Sequence, residues 1–130
     1  ETVRREGRPP GDRAGEWGGG GTPAGRRRGI AEGKGTGKAL YSTESGIAAE
    51  GDSVRQQFLR NDLGEVHLAS ADGADVRGYF HWTSMDNFEW SHGYRMKFGL
   101  IAVDRKTLER TPKPSAGLFS RMAKSNPPDG

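Results

Sequence analysis

The stretch YFHWTSMDNFEWSHGYRMKF, residues 79–98, gathers aromatic side chains around two carboxylates, Asp86 and Glu89. Trp82, Asn87, Phe88, Glu89 and Trp90 form a dense aromatic and acidic cluster. Sugar-binding sites are built this way: an apolar ring covers the C–H face of a pyranose, and a carboxylate accepts bonds from its hydroxyls. The same composition also suits a buried aromatic patch with a solvated acid beside it.

Working outward from this cluster, Asp75–Trp82 reads as a strand, with Val76, Gly78, Phe80 and Trp82 amid apolar neighbours. Upstream, Asp52 is placed to cap a helix starting at Ser53. In that helix Val54, Phe58, Leu63 and Val66 recur at roughly helical spacing, with Leu59 adjoining the stripe. Gly64 weakens the helix interior and predicts a bend or split. Asp72-Gly73 ends it. Ala39–Thr43 is a short strand ending at Glu44. Downstream, Phe98–Val103 is extended, Asp104–Thr107 is a turn, and Ser115 is placed to cap a last helix reaching Lys124. Strand, helix, strand, loop, helix is a β/α repeat, which predicts an α/β fold with the two strands parallel.

The order of residues around the cluster resembles the C-terminal signature of glycoside hydrolase family one, the β-glucosidase family: W-S-x-x-D-N-F-E-W, then G-Y, then F-G-L. It stands here as Trp82-Thr83-Ser84-Met85-Asp86-Asn87-Phe88-Glu89-Trp90, Gly93-Tyr94 and Phe98-Gly99-Leu100. Tyr41-Ser42-Thr43-Glu44-Ser45-Gly46 resembles the family's Y-I-T-E-N-G. Val103-Asp104, Thr107, Arg110, Lys113, Ser115 and Ala116 follow its closing V-D-x-x-T-x-x-R-x-x-K-x-S-A. A lone T-E-x-G is a weak signal, and without the flanking matches Glu44 reads as a solvated acid at a loop start. The three matches come in the family's order and cover roughly residues 39 to 120.

The resemblance implies that the two strands are strands seven and eight of a (β/α)8 TIM barrel, with catalytic residues at their C-terminal ends. A whole barrel needs about 200 residues or more, so this chain has room for about a quarter of one. The resemblance further implies that Glu44 is the nucleophile of a retaining β-glycosidase acting on terminal β-D-hexosyl residues. It makes Glu89 and Trp90 the readers of sugar hydroxyls, Trp82 the stacking floor, and Phe98 a neighbour of the sugar's outer carbon. A buried carboxylate at Glu89 disfavours a sugar phosphate, leaving a β-glucoside or related β-hexoside as the expected ligand. The peptide after Trp82 is expected to be cis, as in the family. Three positions depart from the pattern: Ser45 replaces Asn after the nucleophile, Ser42 replaces an apolar strand residue, and Thr83 replaces Ser. The family's acid/base motif T-F-N-E-P occurs nowhere in these 130 residues. The set is half an active site, expected to be inactive alone. A noncatalytic sugar-binding fragment is the alternative.

Composition narrows the remaining classes. The chain has no cysteine, so neither a disulfide framework nor a thiolate metal site is expected. His67, His81 and His92 lack zinc-ligand spacing, and no metal or other cofactor is expected. No apolar run approaches a membrane span and no charged-then-apolar stretch looks like a signal peptide, from which a cytoplasmic location is expected.

Residues 1–38 hold 12 of the 21 glycines and 9 of the 20 Lys and Arg, with Trp17 the lone aromatic. Such a segment is expected to be disordered, or to be the product of a shifted reading frame in a GC-rich gene. Residues 39–130 carry 11 basic and 12 acidic residues, so the high pI belongs mainly to the tail. Arg26-Arg27-Arg28 would attract phosphate, but with stacking aromatics so scarce only nonspecific nucleic-acid attraction is expected. Glu32–Ala39 is not a phosphate-binding loop: Glu32 stands where its first glycine belongs and Ala39 where its Ser or Thr belongs. Two barrel strands without outer neighbours are expected to self-associate.

Overall fold

The computed structural model describes residues 23–125. Two parallel strands, β1 (Leu40–Ser45) and β2 (Val76–His81), are joined by the long helix α2 (Asp52–Ala71). α1 (Pro23–Lys34) precedes β1. A loop with a 3-10 turn at Trp90–His92 follows β2, then a short antiparallel hairpin, β3 (Ile101–Val103) and β4 (Arg110–Pro112), and α3 (Pro114–Ser125). The predicted parallel pairing is present, and so is the predicted turn: Asp104 Oδ1 accepts the amides of Lys106 and Thr107 at 2.7 and 2.9 Å. β4 is an element that the sequence reading did not contain.

α2 runs unbroken through Gly64, because its packing against α1, β2 and α3 outweighs the roughly 1 kcal/mol that glycine costs in a helix. Its buried face is turned relative to the predicted apolar stripe. Arg55, Leu59, Asp62 and Ala69 are buried, whereas Val54 is 42% exposed. Two charged residues share this face because each finds partners across the packing layer. Leu59, Leu100, Leu118 and Met122 form the core, with Leu63, Ala116 and Phe119 against them.

Two capping expectations are corrected together. Asp52 is the first residue of α2 rather than its cap, and it caps α3 instead: Oδ2 accepts the Ser115 amide and Oδ1 the Ser115 hydroxyl, both at 2.7 Å. Ser115 therefore lies inside α3, one residue after Pro114, whose missing N–H suits a first helical position.

The expectation of disorder up to residue 38 gives way at Pro23–Lys34, which is helical. The helix holds although it buries little apolar surface, because Arg26 reaches through the layer to Asp62, with Nε to Oδ1 at 2.7 Å. The part of that expectation covering residues 1–22 lies outside the described residues.

Candidate active site

The C-terminal ends of β1 and β2 lie side by side. The Trp82 amide donates to the Ser45 carbonyl at 2.8 Å, continuing the strand pairing one residue past β2. Glu44 and Trp82 thus leave adjacent parallel strands at the same end. A β-bulge sits at this point: Ser42 pairs with Tyr79 and Ser45 with His81, so β1 advances three residues while β2 advances two. Bulges re-aim side chains and are enriched beside active sites. Here Ser42 and Ser45 both bond Arg26, on the helix side, while Thr43 and Glu44 between them are exposed. Gly46 follows because nothing larger fits: a Cβ there would overlap the Trp82 carbonyl oxygen. The Trp82–Thr83 peptide is cis, as expected.

Behind Glu44 lies a polar cluster that the sequence reading missed. Asp62 is 3% exposed and accepts from Arg26, from the Ser45 hydroxyl at 2.5 Å and from the Tyr79 hydroxyl at 2.8 Å. Burial, then the Asp62 charge, pushes the Tyr79 phenol well above its ordinary value. Ser42 and Ser45, noted only as departures, are the residues that tie β1 to this cluster. Arg26, read as one of three phosphate-attracting arginines, turns inward. Arg27 pairs with Asp72 at 3.1 Å and Arg28 with Glu32 at 3.3 Å. The available signal was Asp62 itself, a carboxylate three residues after Leu59 on the face that α2 buries.

His81 ends β2. Its ring packs 5.9 Å from that of Phe119, and neither ring nitrogen finds a hydrogen-bond partner among the described residues. Burial pushes its pKa down to about 4, so the imidazole is neutral near pH 7.

The aromatic and acidic loop is clamped at its base. Asp86 is buried, accepts the Gly99 amide at 2.8 Å and pairs with Lys113 at 3.0 Å. Of the two carboxylates in the loop, Asp86 is therefore a structural strut, and Glu89 alone is left for a ligand. Lys113 also donates to the Gly99 carbonyl at 2.7 Å. Burial lowers its pKa, with the Asp86 hydrogen bond opposing. Arg55, 1% exposed, holds the same loop from α2, donating to the Lys97 carbonyl at 2.5 Å, the Ala49 carbonyl at 2.8 Å and Asp52 at 2.7 Å. Burial raises the Asp52 pKa, but the Ser115 and Arg55 hydrogen bonds outweigh it and hold the carboxyl below its ordinary value.

Above this base the loop is open. Glu89 is half-buried, and its amide donates to the Gly93 carbonyl at 2.7 Å. Trp90 is 83% exposed, Phe98 is half-buried, and Trp82 lies at the margin of exposure. Phe88 and Tyr94 meet edge to face at 5.5 Å, with the Arg105 guanidinium 4.1 Å over the Tyr94 ring. Glu44 lines a groove of about 390 Å³ with Arg26, Ile30, Leu40 and Ser42, and Trp82, Glu89, Trp90 and Phe98 do not line it. The structure brings Glu44 and Trp82 to neighbouring strand ends and does not gather the five predicted residues into one enclosed cavity. Among the described residues no group of acidic or histidine side chains could hold a metal ion, and no helix is long and apolar enough to cross a membrane.

Comparison with known proteins gives this geometry a context. The family model described as Glycosyl hydrolase family 1 matches residues 28–128. The chain is 43% identical over 90 residues to a beta-galactosidase of Sulfolobus acidocaldarius, covering 69% of this chain and 18% of that relative. It is 50% identical over 74 residues to Beta-glucosidase 26 of Oryza sativa, covering 57% of this chain and 14% of that one. Among solved structures, the beta-glycosidase from Pyrococcus horikoshii superposes with a TM-score of 0.77 at 44% identity, over 79% of this chain and 24% of that chain. The beta-glucosidase from Thermotoga maritima in complex with castanospermine superposes with a TM-score of 0.79 at 30% identity, over 83% and 27%. The chain thus spans under a fifth of these curated relatives and about a quarter of the solved chains. It belongs to glycosyl hydrolase family 1 and forms a partial piece of that family's β/α barrel.

Proposed function

We propose that this chain supplies the nucleophile and the sugar-reading loop of a retaining β-glycosidase of β-glucosidase type, from barrel strands seven and eight. The observation that carries this reading is the adjacency of Glu44 and Trp82 at the C-terminal ends of parallel strands, where barrel enzymes keep their chemistry.

Glu44 attacks the anomeric carbon of a terminal β-D-hexoside, the aglycone leaves, and a covalent glycosyl-enzyme forms on the carboxylate. Trp82 covers the apolar face of the sugar. Glu89 accepts hydrogen bonds from sugar hydroxyls with charge-assisted strength, and the Trp90 indole N–H donates to a neighbouring one. Phe98 packs against the outer carbon. The bulge that exposes Glu44 and the Asp86–Lys113 clamp under the loop support these roles by fixing where each side chain starts. The second carboxyl of the pair, the acid/base, is not among these 130 residues. General acid help of this kind is worth about 10²- to 10⁴-fold.

The test grafts residues 39–130 onto the upstream barrel of the Sulfolobus acidocaldarius relative and adds a 2-deoxy-2-fluoro aryl β-glucoside, which stalls at the glycosyl-enzyme. Peptide mass spectrometry should find the label on Glu44. A folded graft labelled at another residue, or not labelled at all, overturns the assignment.

A further inference from the structure

β1 starts as a regular strand and ends out of step. Side chains alternate between the two faces of a strand, so Leu40, Ser42 and Glu44 should share one face. Leu40 and Ser42 are half-buried on the helix side, and Tyr41 and Thr43 are exposed, as alternation requires. The alternation then fails: Glu44 is exposed and its neighbour Ser45 is 3% exposed. The bulge between Ser42 and Ser45 supplies the extra residue. It turns Glu44 outward and sets Ser45 in the inward place that alternation assigns to Glu44.

The groups opposite that place discriminate between the two residues. The Ser45 hydroxyl accepts from Arg26 and donates to Asp62 at 2.5 Å, so it uses both halves of its hydrogen-bonding capacity. An ionised carboxylate accepts only. Glu44 in the same place would set a second negative charge against the buried Asp62, with the Arg26 guanidinium left to serve both. We infer that Asp62 is a positioning residue: by excluding a second carboxylate from the helix layer, it selects the bulged register of β1 and holds Glu44 outside. The inference rests on the reading of Glu44 as nucleophile only for its catalytic consequence, since the register itself is a property of β1.

Arg26 makes the selection steep. Its guanidinium donates to Asp62 through Nε at 2.7 Å and to Ser42 through Nη1 at 3.1 Å, and it lines the same groove as Glu44. With Asp62 neutral, Arg26 would lack a carboxylate, and a β1 without its bulge would deliver Glu44 to it. Loss of Asp62 should therefore draw Glu44 inward. A strut that merely packs predicts the opposite, because its removal loosens β1 and exposes Glu44 further. The direction of the change separates the two roles.

The experiment uses the intact 130-residue chain. A carbodiimide with glycinamide converts accessible carboxylates to amides, and peptide mass spectrometry reads the rate at each residue. In the natural chain the exposed Glu44 and Glu50 should react at comparable rates, while the buried Asp86 resists and reports folding. In Asp62→Asn, which keeps the shape and removes the charge, Glu44 should react about tenfold more slowly, as for a group that is turned outward about a tenth of the time. Glu50 should be unaffected. Adding Arg26→Met to Asp62→Asn removes the inward pull and should restore the natural rate at Glu44. Ser45→Ala keeps the Asp62 charge and should leave that rate unchanged; slowing there would assign the register to the hydroxyl and overturn the proposal. An unchanged or faster rate at Glu44 in a folded Asp62→Asn would overturn it too. So would rapid modification of Asp86 in that variant, because an inward Glu44 should satisfy Arg26 and let the chain fold. None of these readings needs glycosidase chemistry, so a graft that fails to trap its sugar on Glu44 counts against the nucleophile and leaves the register result standing.

Discussion

Asp52, in the first turn of α2, accepts both the amide and the hydroxyl of Ser115, in the first turn of α3, at 2.7 Å each. The same carboxylate pairs with Arg55, whose guanidinium holds the backbone at Ala49 and Lys97. One side chain thus joins two helices and the base of the aromatic and acidic loop.

Asp52→Ala should therefore cost more than an ordinary helix cap. It removes the cap of α3 and leaves the buried Arg55 cation short of its carboxylate. The expected loss is about 2–4 kcal/mol, read from the urea midpoint by tryptophan fluorescence. The carboxyl's lowered pKa means its stabilisation is present above the unfolded value of 3.8 and lost as pH falls below it. A change under about 0.5 kcal/mol, the range of ordinary surface substitutions, would show that the three-way junction contributes nothing.

Arg26→Ala and Arg28→Ala should differ although a single residue separates them. Arg26 serves the buried Asp62, whereas Arg28 meets Glu32 with both side chains mostly in solvent. The first should cost about 1–3 kcal/mol and speed amide exchange along α1. The second should cost no more than about 0.5 kcal/mol. Identical exchange profiles for the two variants would remove Arg26 from its anchoring role.

His81 gives the fold an acid limit. Its folded pKa is about 4 against 6.5 unfolded, so between these values the unfolded chain binds more protons. Stability should be full above about pH 6.5 and decline toward pH 4, by about 1–3 kcal/mol after allowance for the partial exposure of the ring. The fluorescence midpoint measured across this window should fall in the natural chain and stay level in His81→Phe. A parallel fall in both would assign the slope to other groups.

The chain by itself should show no sustained turnover even of an activated aryl β-glucoside, whose leaving group needs little protonation, because the acid/base motif is not among these 130 residues. Sustained release of the aryl group that disappears in Glu44→Gln would contradict this.

In the grafted enzyme, Glu89→Ala should lower kcat/KM roughly ten- to a hundredfold, the worth of a lost charge-assisted bond. The loss should shrink on deoxy sugars lacking the contacted hydroxyls, while Trp82→Ala should affect all hexosides alike. Equal losses for Glu89→Ala on the glucoside and its deoxy analogues would make Glu89 structural.

The sequence by itself determined the family, the two strands and the helix between them. Those readings rest on contiguous patterns: Thr43-Glu44-Ser45-Gly46, the run from Trp82 to Trp90, and the alternation of strand and helix periods. Only the tertiary structure decided which acids are free and which are struts. Asp86 and Glu89 stand three residues apart in one loop, yet Asp86 is claimed by Lys113, a residue whose position no local pattern fixes. α1 was illegible for the same reason. Its composition predicts disorder, and its one buried ion pair reaches Asp62, 36 residues away. The buried face of α2 was misread because hydrophobic periodicity counts only apolar residues, whereas Arg55 and Asp62 are buried through partners on other elements. Burial of a charge is decided by what meets it across the packing layer, and that meeting exists only once the chain has folded.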